Sequence, residues 1–197
     1  DIYTSTLRSD GKWTVPAKLS NKINTSYNEE SVFIHPDNQT LYFSSDGRPG
    51  MGGLDIYMSR RQPNGEWGEP VNLGYPINTA GDENSLLVSR DGKTAWFASD
   101  RKGGFGGLDI YSFDLYEKVQ PGKTIYVKGK VYDAITKAPL ETEVHPLDLQ
   151  SGEVAKWQSS KQNGAFLICL PLNRNYAFNT SKAGYLFHSE NFSLTEN

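Results

Sequence analysis

The sequence contains very little cysteine and histidine and has no long apolar run. One cysteine, Cys169, and three histidines occur among 197 residues, so no internal disulfide can form and cysteine and histidine cannot build a zinc pattern. No stretch approaches the roughly 20 apolar residues that span a bilayer, and no signal-peptide pattern is present. The formal net charge is −3, which leaves no basic surface of the kind that binds nucleic acid. We therefore predict no metal, no cofactor, no nucleic-acid partner and no transmembrane segment.

Helical periodicity is also scarce, whereas turn-forming residues are abundant. The chain has 19 glycines and 10 prolines, with 37% hydrophobic and 12% aromatic residues. This composition suits packed β-sheets that are joined by tight turns. The sequence therefore predicts an all-β fold.

The tripeptide Asp-Ile-Tyr occurs three times, beginning at Asp1, Asp55 and Asp109, with a constant spacing of 54 residues. Residues 1–54 align with residues 55–108 without a gap and share 22 identities. A tandem repeat of this length is typical of a propeller or a solenoid, because one such unit cannot bury its apolar face without neighbours. We therefore expect function to reside in an array of repeats.

Each repeat predicts four antiparallel strands. Apolar runs at 84–89 and 94–99 flank an Asp-Gly turn, which is a hairpin signal. A glycine-rich loop then leads into a third strand at 108–113, and the segment 66–73, whose Pro70 suits an edge position, supplies a fourth. A four-stranded meander of this length fits the blade of a β-propeller better than a solenoid unit.

The repeats also resemble a known family. The segments 89–94 (SRDGKT), 97–101 (FASDR) and 106–111 (GGLDIY) resemble the TolB-like propeller repeat. The chain begins in the third strand of one blade, holds one complete blade and ends its repeats after the third strand of another, so it cannot close a ring alone. We expect the remaining blades upstream in the natural protein, and the alternative is that several chains pool their blades. The exposed edges of a partial propeller predict self-association.

The pattern changes after residue 120. Residues 125–133 alternate almost perfectly, which indicates a strand with one buried face. Further strands are predicted at 141–149, 154–159, 165–170 and 176–179. This spacing fits a small β-sandwich. Both faces of the strand 165–170 are apolar, with Leu167 and Cys169 on one of them, which predicts a central strand.

The second module has a resemblance of its own. The segment 127–140 (VKGKVYDAITKAPL), together with 163–166 and Tyr185, resembles the carboxypeptidase-regulatory-like domain, a transthyretin-like sandwich. A TolB-like propeller followed by this domain resembles the middle of OmpA-family envelope proteins. The resemblance implies a periplasmic, outer-membrane-associated protein that binds envelope proteins, and peptidoglycan through a following domain, as in lipoproteins of the type IX secretion system. The predicted domains are residues 1–120 and 121–197.

Five repeat-locked residues are candidate ligand contacts. Glu29 and Glu83 lead into the innermost predicted strand, and Asp82 precedes the second of them. Side chains at this position would point to the central channel, where propellers often bind ligands. Arg48 and Lys102 share a repeat position at a loop mouth, where they would contact an acidic partner or a glycan, or remain solvated.

The other repeat-locked residues are predicted to be structural. The carboxylates are expected to accept hydrogen bonds from the glycine-rich loops, whose glycines are explained by positive φ or close approach. The tryptophans are expected to pack in the outer strand. These residues are Asp46, Asp55, Asp100, Asp109, Trp13 and Trp67.

No catalytic constellation is visible in the sequence. A glycosidase would need two carboxylates that flank the scissile bond, and no local pattern pairs them. Our leading hypothesis is a non-catalytic scaffold of the cell envelope that binds protein. The alternative is a glycan or peptidoglycan-fragment binder that uses the propeller channel. A third hypothesis is a hydrolase whose active site lies in blades outside this sequence.

Overall fold

The regular secondary structure of the described residues is antiparallel β-sheet apart from one 3-10 turn, which confirms the predicted all-β class. The computed structural model describes residues 1–8, 10–155, 157–159 and 162–195. Within these residues the chain forms two compact units, and the first spans Asp1–Gly122 while the second begins at Lys123. This division lies two residues beyond the boundary expected at residue 120.

The first unit contains three sheets that follow one another along the chain. Sheet I consists of β1 (Tyr3–Thr4) and β2 (Ala17–Lys18). Sheet II has four strands in sequential order: β3 (Glu29–Ile34), β4 (Thr40–Ser45), β5 (Asp55–Arg60) and β6 (Val71–Asn72). Sheet III has three: β7 (Glu83–Val88), β8 (Thr94–Ser99) and β9 (Asp109–Asp114). Sheet II is therefore a four-stranded meander.

Local features of these strands repeat together with the sequence. Ser31 and Ser85 stand 54 residues apart, and both have positive φ, 50° and 56°, where β3 and β7 carry a bulge. The hairpin between β7 and β8 turns at Gly92, whose φ is 73°, and Asp91 accepts a hydrogen bond there from the Lys93 N–H. The same short-range chemistry therefore builds each copy.

The outer strand β6 is shorter than expected. The prediction placed a strand over 66–73, whereas the ladder with β5 covers only Val71–Asn72, and Trp67 makes an isolated bridge to Arg61. Pro70 separates these two parts, and a proline cannot donate a hydrogen bond to a ladder.

Two apolar cores lie between adjacent sheets of the first unit. The core between sheets I and II contains Ile2, Ile23, Leu41, Phe43, Tyr57 and Trp67. The core between sheets II and III contains Tyr42, Ile56, Met58, Leu73, Ile77, Leu86, Ala95, Phe97, Leu115 and Val119. Alternate residues of β4 and β5 thus face opposite cores, as the period of two requires.

The segment after β9 belongs to the first unit. It includes a 3-10 turn at Glu117–Val119, and Leu115 and Val119 are buried in the second core. The Tyr42 hydroxyl donates to the Val119 carbonyl (2.6 Å), and the Gly122 N–H donates to the Asp37 carboxylate (2.7 Å). We call residues 115–122 the anchoring segment.

The second unit contains two sheets that enclose one core. A two-stranded sheet pairs β10 (Thr124–Lys130) with β13 (Ala165–Pro171). A four-stranded sheet has the order β12 (Trp157–Gln158), β11 (Glu143–Asp148), β14 (Arg174–Ser181) and β15 (His188–Leu194). The core between them is formed by Val144, Ile168, Leu170, Tyr176 and Phe178.

Two expectations for this unit were wrong or incomplete. The strand expected to be central, β13, pairs only with β10 among the described residues. Its second apolar face is open, because Leu167 is exposed and Cys169 is half-buried. The last strand, β15, was not predicted, since its sequence is mostly polar and nearly all of its residues are exposed.

Candidate functional site

The constant spacing of the repeat brings Asn24 and Asn78 against the backbone of the preceding sheet. The Asn24 carboxamide accepts from the Ile2 N–H (2.6 Å) and donates to the Ile2 carbonyl (2.9 Å). Asn78 makes the same two bonds to Ile56, at 2.8 and 2.9 Å. We call this paired arrangement the asparagine clasp. It joins sheet I to the chain before sheet II and sheet II to the chain before sheet III.

The two candidate glutamates are inside the protein. Glu83 is 0% exposed, and its carboxylate accepts from the Thr79 hydroxyl (2.6 Å), the Thr79 N–H (2.8 Å) and the Ser99 hydroxyl (2.7 Å). Glu29 accepts equivalent bonds from Thr25 (2.6 Å) and Ser45 (3.3 Å). Its Oε2 has no hydrogen-bond partner in the described part of the chain. Both carboxylates therefore connect elements of the fold.

Arginine side chains close both glutamate sites, but from positions that the sequence alignment does not pair. Arg101 lies 3.4 Å from the Glu83 carboxylate and donates to the carbonyls of Pro76 (2.9 Å) and Ile77 (2.6 Å). Its guanidinium also covers the rings of Phe97 and Tyr111, at 4.9 and 4.8 Å from their centroids.

Arg48 has the same environment one repeat earlier. It donates to the carbonyls of Lys22 and Ile23, covers Phe43 and Tyr57, and lies 3.9 Å from Glu29. Its spatial counterpart is therefore Arg101, whereas Lys102, which shares its repeat position, is exposed. A long side chain reaches the same point from either of two adjacent loop residues.

Asp46 and Asp100 bond the residues that precede β3 and β7, and not the glycine-rich loops that the sequence predicted as their donors. Asp46 accepts from the backbone N–H (2.8 Å) and the side-chain amide (2.9 Å) of Asn28, and these bonds lower the pKa of Asp46. Asp100 accepts from the Asp82 N–H (2.7 Å). The Asp82 carboxylate in turn accepts from the Leu54 N–H (2.8 Å) and so bridges sheets II and III.

The aspartates of the Asp-Ile-Tyr motif hold the glycine-rich loops. Asp55 accepts from the Met51 N–H (2.7 Å), and Asp109 accepts from the Phe105 N–H (2.7 Å). Burial raises the pKa of Asp55 more than the bonds from Met51 and Gly52 lower it. The hydrogen bonds from the loop therefore only partly offset the hydration that the Asp55 carboxylate loses on burial.

The two repeat tryptophans lie in different surroundings. Trp67 is buried in the first core and stacks under the Arg61 guanidinium, 5.0 Å from its centroid. Trp13 is 66% exposed. Leu41 and Phe43 belong to the same core as Trp67.

The outward face of sheet III differs in burial from the equivalent face of sheet II. Phe33, Tyr42 and Ile56 on sheet II pack in the second core. Their counterparts on sheet III have exposures of 56% at Leu87, 43% at Trp96 and 81% at Ile110. We call these three residues the open face. Neither Arg101 nor the open face was predicted from the sequence.

No part of the described chain shows a group of three or more histidine, cysteine, aspartate or glutamate residues placed to hold a metal ion. A helix of the length and apolarity needed to cross a bilayer is likewise not found among these residues. No protein-family model, curated protein or solved structure matches the chain.

Proposed function

We propose that the protein is a non-catalytic scaffold of the cell envelope that binds other proteins, with sheets I to III as blades of a propeller. The observation that carries the proposal is the burial of Glu83, which is 0% exposed and already accepts hydrogen bonds from Thr79 and Ser99. The carboxylates of Glu83 and Glu29 thus bond other parts of the fold. A rigid array of this kind suits the presentation of binding surfaces.

The same observation weighs against the two alternative functions. A glycan in a channel would need accessible polar groups, and a hydrolase would need two carboxylates that reach the scissile bond. Glu29 and Glu83 are both buried, and Asp82 bonds the Leu54 N–H. The acidic candidates in this chain therefore favour a structural role over either alternative.

The cellular location is proposed from the sequence resemblance alone. The TolB-like repeats and the carboxypeptidase-regulatory-like pattern occur together in OmpA-family envelope proteins, and this supports a periplasmic protein that is associated with the outer membrane. The type IX secretion system is one setting in which such lipoproteins act. Peptidoglycan would be bound by a following domain.

The edge strand β15 is the proposed binding surface for an envelope protein. It pairs with β14 on one side, and its other edge is free among the described residues. Exposed Tyr185, Leu186 and Phe187 precede it. A free seven-residue edge with apolar side chains at its end suits the addition of an extended segment from a partner, which main-chain hydrogen bonds would hold.

The strand register identifies a backbone group with which to test this surface. The Leu194 carbonyl accepts from the Asn173 N–H on the β14 side. Because groups alternate along a strand, the Asn191 N–H points to the free edge. Asn191→Pro removes that donor without removing a bond to β14, and Asn191→Ala retains it.

The test is a pull-down from envelope extracts with the intact protein and both variants, after circular dichroism has shown that each is folded. We expect a specific envelope protein to be retained by the wild type and by Asn191→Ala, and to be lost with Asn191→Pro. Retention of no envelope protein, or equal retention by both variants, would refute binding at this edge. Calorimetric binding of muropeptides by the wild type would support the glycan alternative instead.

A further inference from the structure

Two loops of the second unit leave the same end of its two sheets. The first is the hairpin 132–139, which lies between β10 and β11, and the second is the turn 182–187, which joins β14 to β15. Three residues after the hairpin, the Thr142 hydroxyl donates to the carbonyl of Ser181 (2.7 Å), the residue directly before the turn. This bond holds the two loops side by side at the start of β11. We call residues 132–139 and 182–187 the end loops.

The end loops carry the most exposed large hydrophobic side chains in the described part of the second unit. Ile135 is 91% exposed, Leu186 is 94% exposed and Phe187 is 66% exposed. Every other exposed large hydrophobic side chain described in this unit has an exposure between 44% and 52%. Protruding apolar groups are thus concentrated at one end of the unit.

Both end loops are ordered by their own hydrogen bonds. The Asp133 carboxylate accepts from the N–H groups of Ile135 (2.9 Å) and Thr136 (2.6 Å), and the bonds from Thr136 lower the pKa of Asp133 most strongly. In the other loop, the Tyr185 N–H donates to the Lys182 carbonyl (3.0 Å). The apolar side chains therefore project from defined turns, and little conformational entropy is lost when such a surface binds.

Tyrosine and lysine side chains border the apolar ones. Tyr132 bridges to Pro139 at the base of the hairpin, and the Lys137 ammonium lies 5.2 Å from the centroid of the Tyr132 ring. Lys182 and Tyr185 lie in the other loop. Side chains of these two types place their apolar part in a membrane and their polar end among the lipid headgroups. Apolar residues bordered by tyrosine and lysine are therefore the composition expected at a membrane interface.

The charge of the end loops is small. They contain two lysines and one aspartate, which gives a net charge of +1. Attraction to anionic lipids contributes only about 1 kcal/mol per lysine near the surface. Insertion of the apolar side chains would therefore have to supply most of the affinity for a membrane.

We propose that the end loops bind the surface of a phospholipid bilayer. Ile135, Leu186 and Phe187 enter the boundary between headgroups and acyl chains, while Lys137 and Lys182 reach the lipid phosphates. Side chains that project from two separate loops suit a fluid surface, because lipids rearrange around each of them. A protein surface would need a matching pocket for each side chain.

The proposal goes beyond partner binding at β15 and does not depend on it. The strand begins at His188, next to the end loops, and runs to Leu194, whose carbonyl accepts from the Asn173 N–H. Asn191 stands four residues beyond Phe187, which is about 13 Å along an extended strand. The apolar face of an interfacial element enters a bilayer by only about 5–10 Å. Membrane binding and partner binding can therefore occur together and can fail separately.

Flotation of the full chain with vesicles tests the proposal. We expect the wild type to float with vesicles of phosphatidylcholine and phosphatidylglycerol in equal parts. It should remain bound in about 0.5 M salt, where charges are screened within a few ångströms. Leu186→Asp should weaken the partitioning by more than about tenfold, because it removes an inserted side chain and adds a charge.

The matched control is Phe105→Asp, which makes the same change in charge at a fully exposed apolar loop residue of the first unit. It should float like the wild type. Failure of the wild type to float, or equal losses in the two variants, would overturn the proposal. Retention of an envelope protein that Leu186→Asp abolishes, without flotation of the wild type, would assign the end loops to a protein instead. Since both substituted residues are exposed, neither change should unfold the chain, and circular dichroism melts check this.

A fluorescent label tests insertion directly. In a Cys169→Ser background, Leu186→Cys is labelled with nitrobenzoxadiazole, whose emission rises and shifts to shorter wavelength when it leaves water. We expect this change when the vesicles are added to labelled Leu186→Cys and not when they are added to labelled Phe105→Cys. Equal responses at the two positions, or no response at Leu186→Cys, would contradict insertion of the end loops.

Discussion

Asparagine suits the clasp because its carboxamide both donates and accepts. The N–H and C=O of one residue in a β-strand point to the same side, and Asn78 bonds both of these groups of Ile56. Asn78 also donates to the Asn72 side chain (2.7 Å) and is fully buried. Aspartate at this position would lose the donor, and leucine would leave the Ile56 N–H unsatisfied, although the Ile56 carbonyl would keep its bond from the Leu73 N–H.

Because Arg101 lies beside the buried Glu83, we expect it to contribute more to the stability of the fold than its neighbour Lys102 does. Arg101→Ala removes bonds to the Pro76 and Ile77 carbonyls and leaves the glutamate without its cation. We expect a loss of about 2–3 kcal/mol in the free energy of unfolding. Urea denaturation followed by tryptophan fluorescence measures this loss.

The matched control is Lys102→Ala, at the repeat position of Arg48. Its side chain is exposed, so we expect a change within about 0.5 kcal/mol. If Lys102→Ala were the more damaging change, the assignment of Arg101 as the counterpart of Arg48 would be wrong.

The role of a residue could be predicted where its partners lie close by in the sequence. It could not be predicted where a long side chain extends to a partner that is distant in the sequence. The role of Asp91 follows from the Asp-Gly turn in which it lies, and Asp55 and Asp109 lie beside the loops that they bond. The pairing of Arg48 with Arg101 could not be predicted by alignment, because the two side chains reach equivalent points from positions that differ by one residue. The burial of Glu83 likewise depends on Thr79 and Ser99, which a single strand pattern does not reveal.

Among the elements, the strands with clear alternation were the predictable ones. The strand β8 has the predicted bounds, and β10 begins one residue before the predicted alternation and ends three residues before its end. The polar strand β15 has no alternation to detect, since it lies at a sheet edge with nearly all residues exposed. The prediction that β13 is a central strand was wrong, because a strand with two apolar faces can also leave one of them exposed to solvent.

The turn that leaves β11 should make the second unit sensitive to acid. Burial opposes ionisation of Asp148, but hydrogen bonds from Arg174 and from the N–H groups of Gln150 and Ser151 outweigh it and hold its pKa below the ordinary value of 3.8. The folded state therefore retains this charge to lower pH than the unfolded chain. The resulting stability is fully present above pH 3.8 and is lost as the pH falls through the lower folded-state pKa.

We expect Asp148→Asn to be less stable than the wild type at neutral pH and to lose less stability on acidification. Thermal melts between about pH 6 and pH 2 measure both effects. Glu141→Gln, at an exposed position in the same unit, should retain the wild-type pH dependence. A wild-type pH dependence in Asp148→Asn would contradict the role of this turn.

At the scale of the whole molecule, the anchoring segment determines where the first unit ends. A composition change placed the boundary near residue 120, whereas the contacts of Val119 and Gly122 extend the first unit to residue 122. A change in composition marks where a sequence pattern ends, but it does not show that the next residues fold back onto the preceding core. The Tyr42 hydroxyl and the Asp37 carboxylate that hold them lie far away in the sequence.

The anchoring segment should therefore contribute to the stability of the first unit and not of the second. Leu115→Ala leaves a cavity in the second core and should cost about 2–4 kcal/mol. In differential scanning calorimetry of the full chain, only one of two transitions should move to lower temperature. Lys118→Ala, in the same segment but exposed, should leave both unchanged, and a shift of both transitions in Leu115→Ala would show that the units unfold together.

The joints between the sheets also bear on how such a chain changes in length. The segments at 52–57 and 106–111 both read GGLDIY. Each joint between sheets contains one of these segments, and the isoleucine in it is the residue whose backbone the asparagine of a following repeat would bond. A gene rearrangement that joins one segment to the other adds or removes 54 codons in frame. Each product retains the asparagine clasp at every joint that is followed by another repeat, and we expect variants that gain or lose 54 residues in this way to fold.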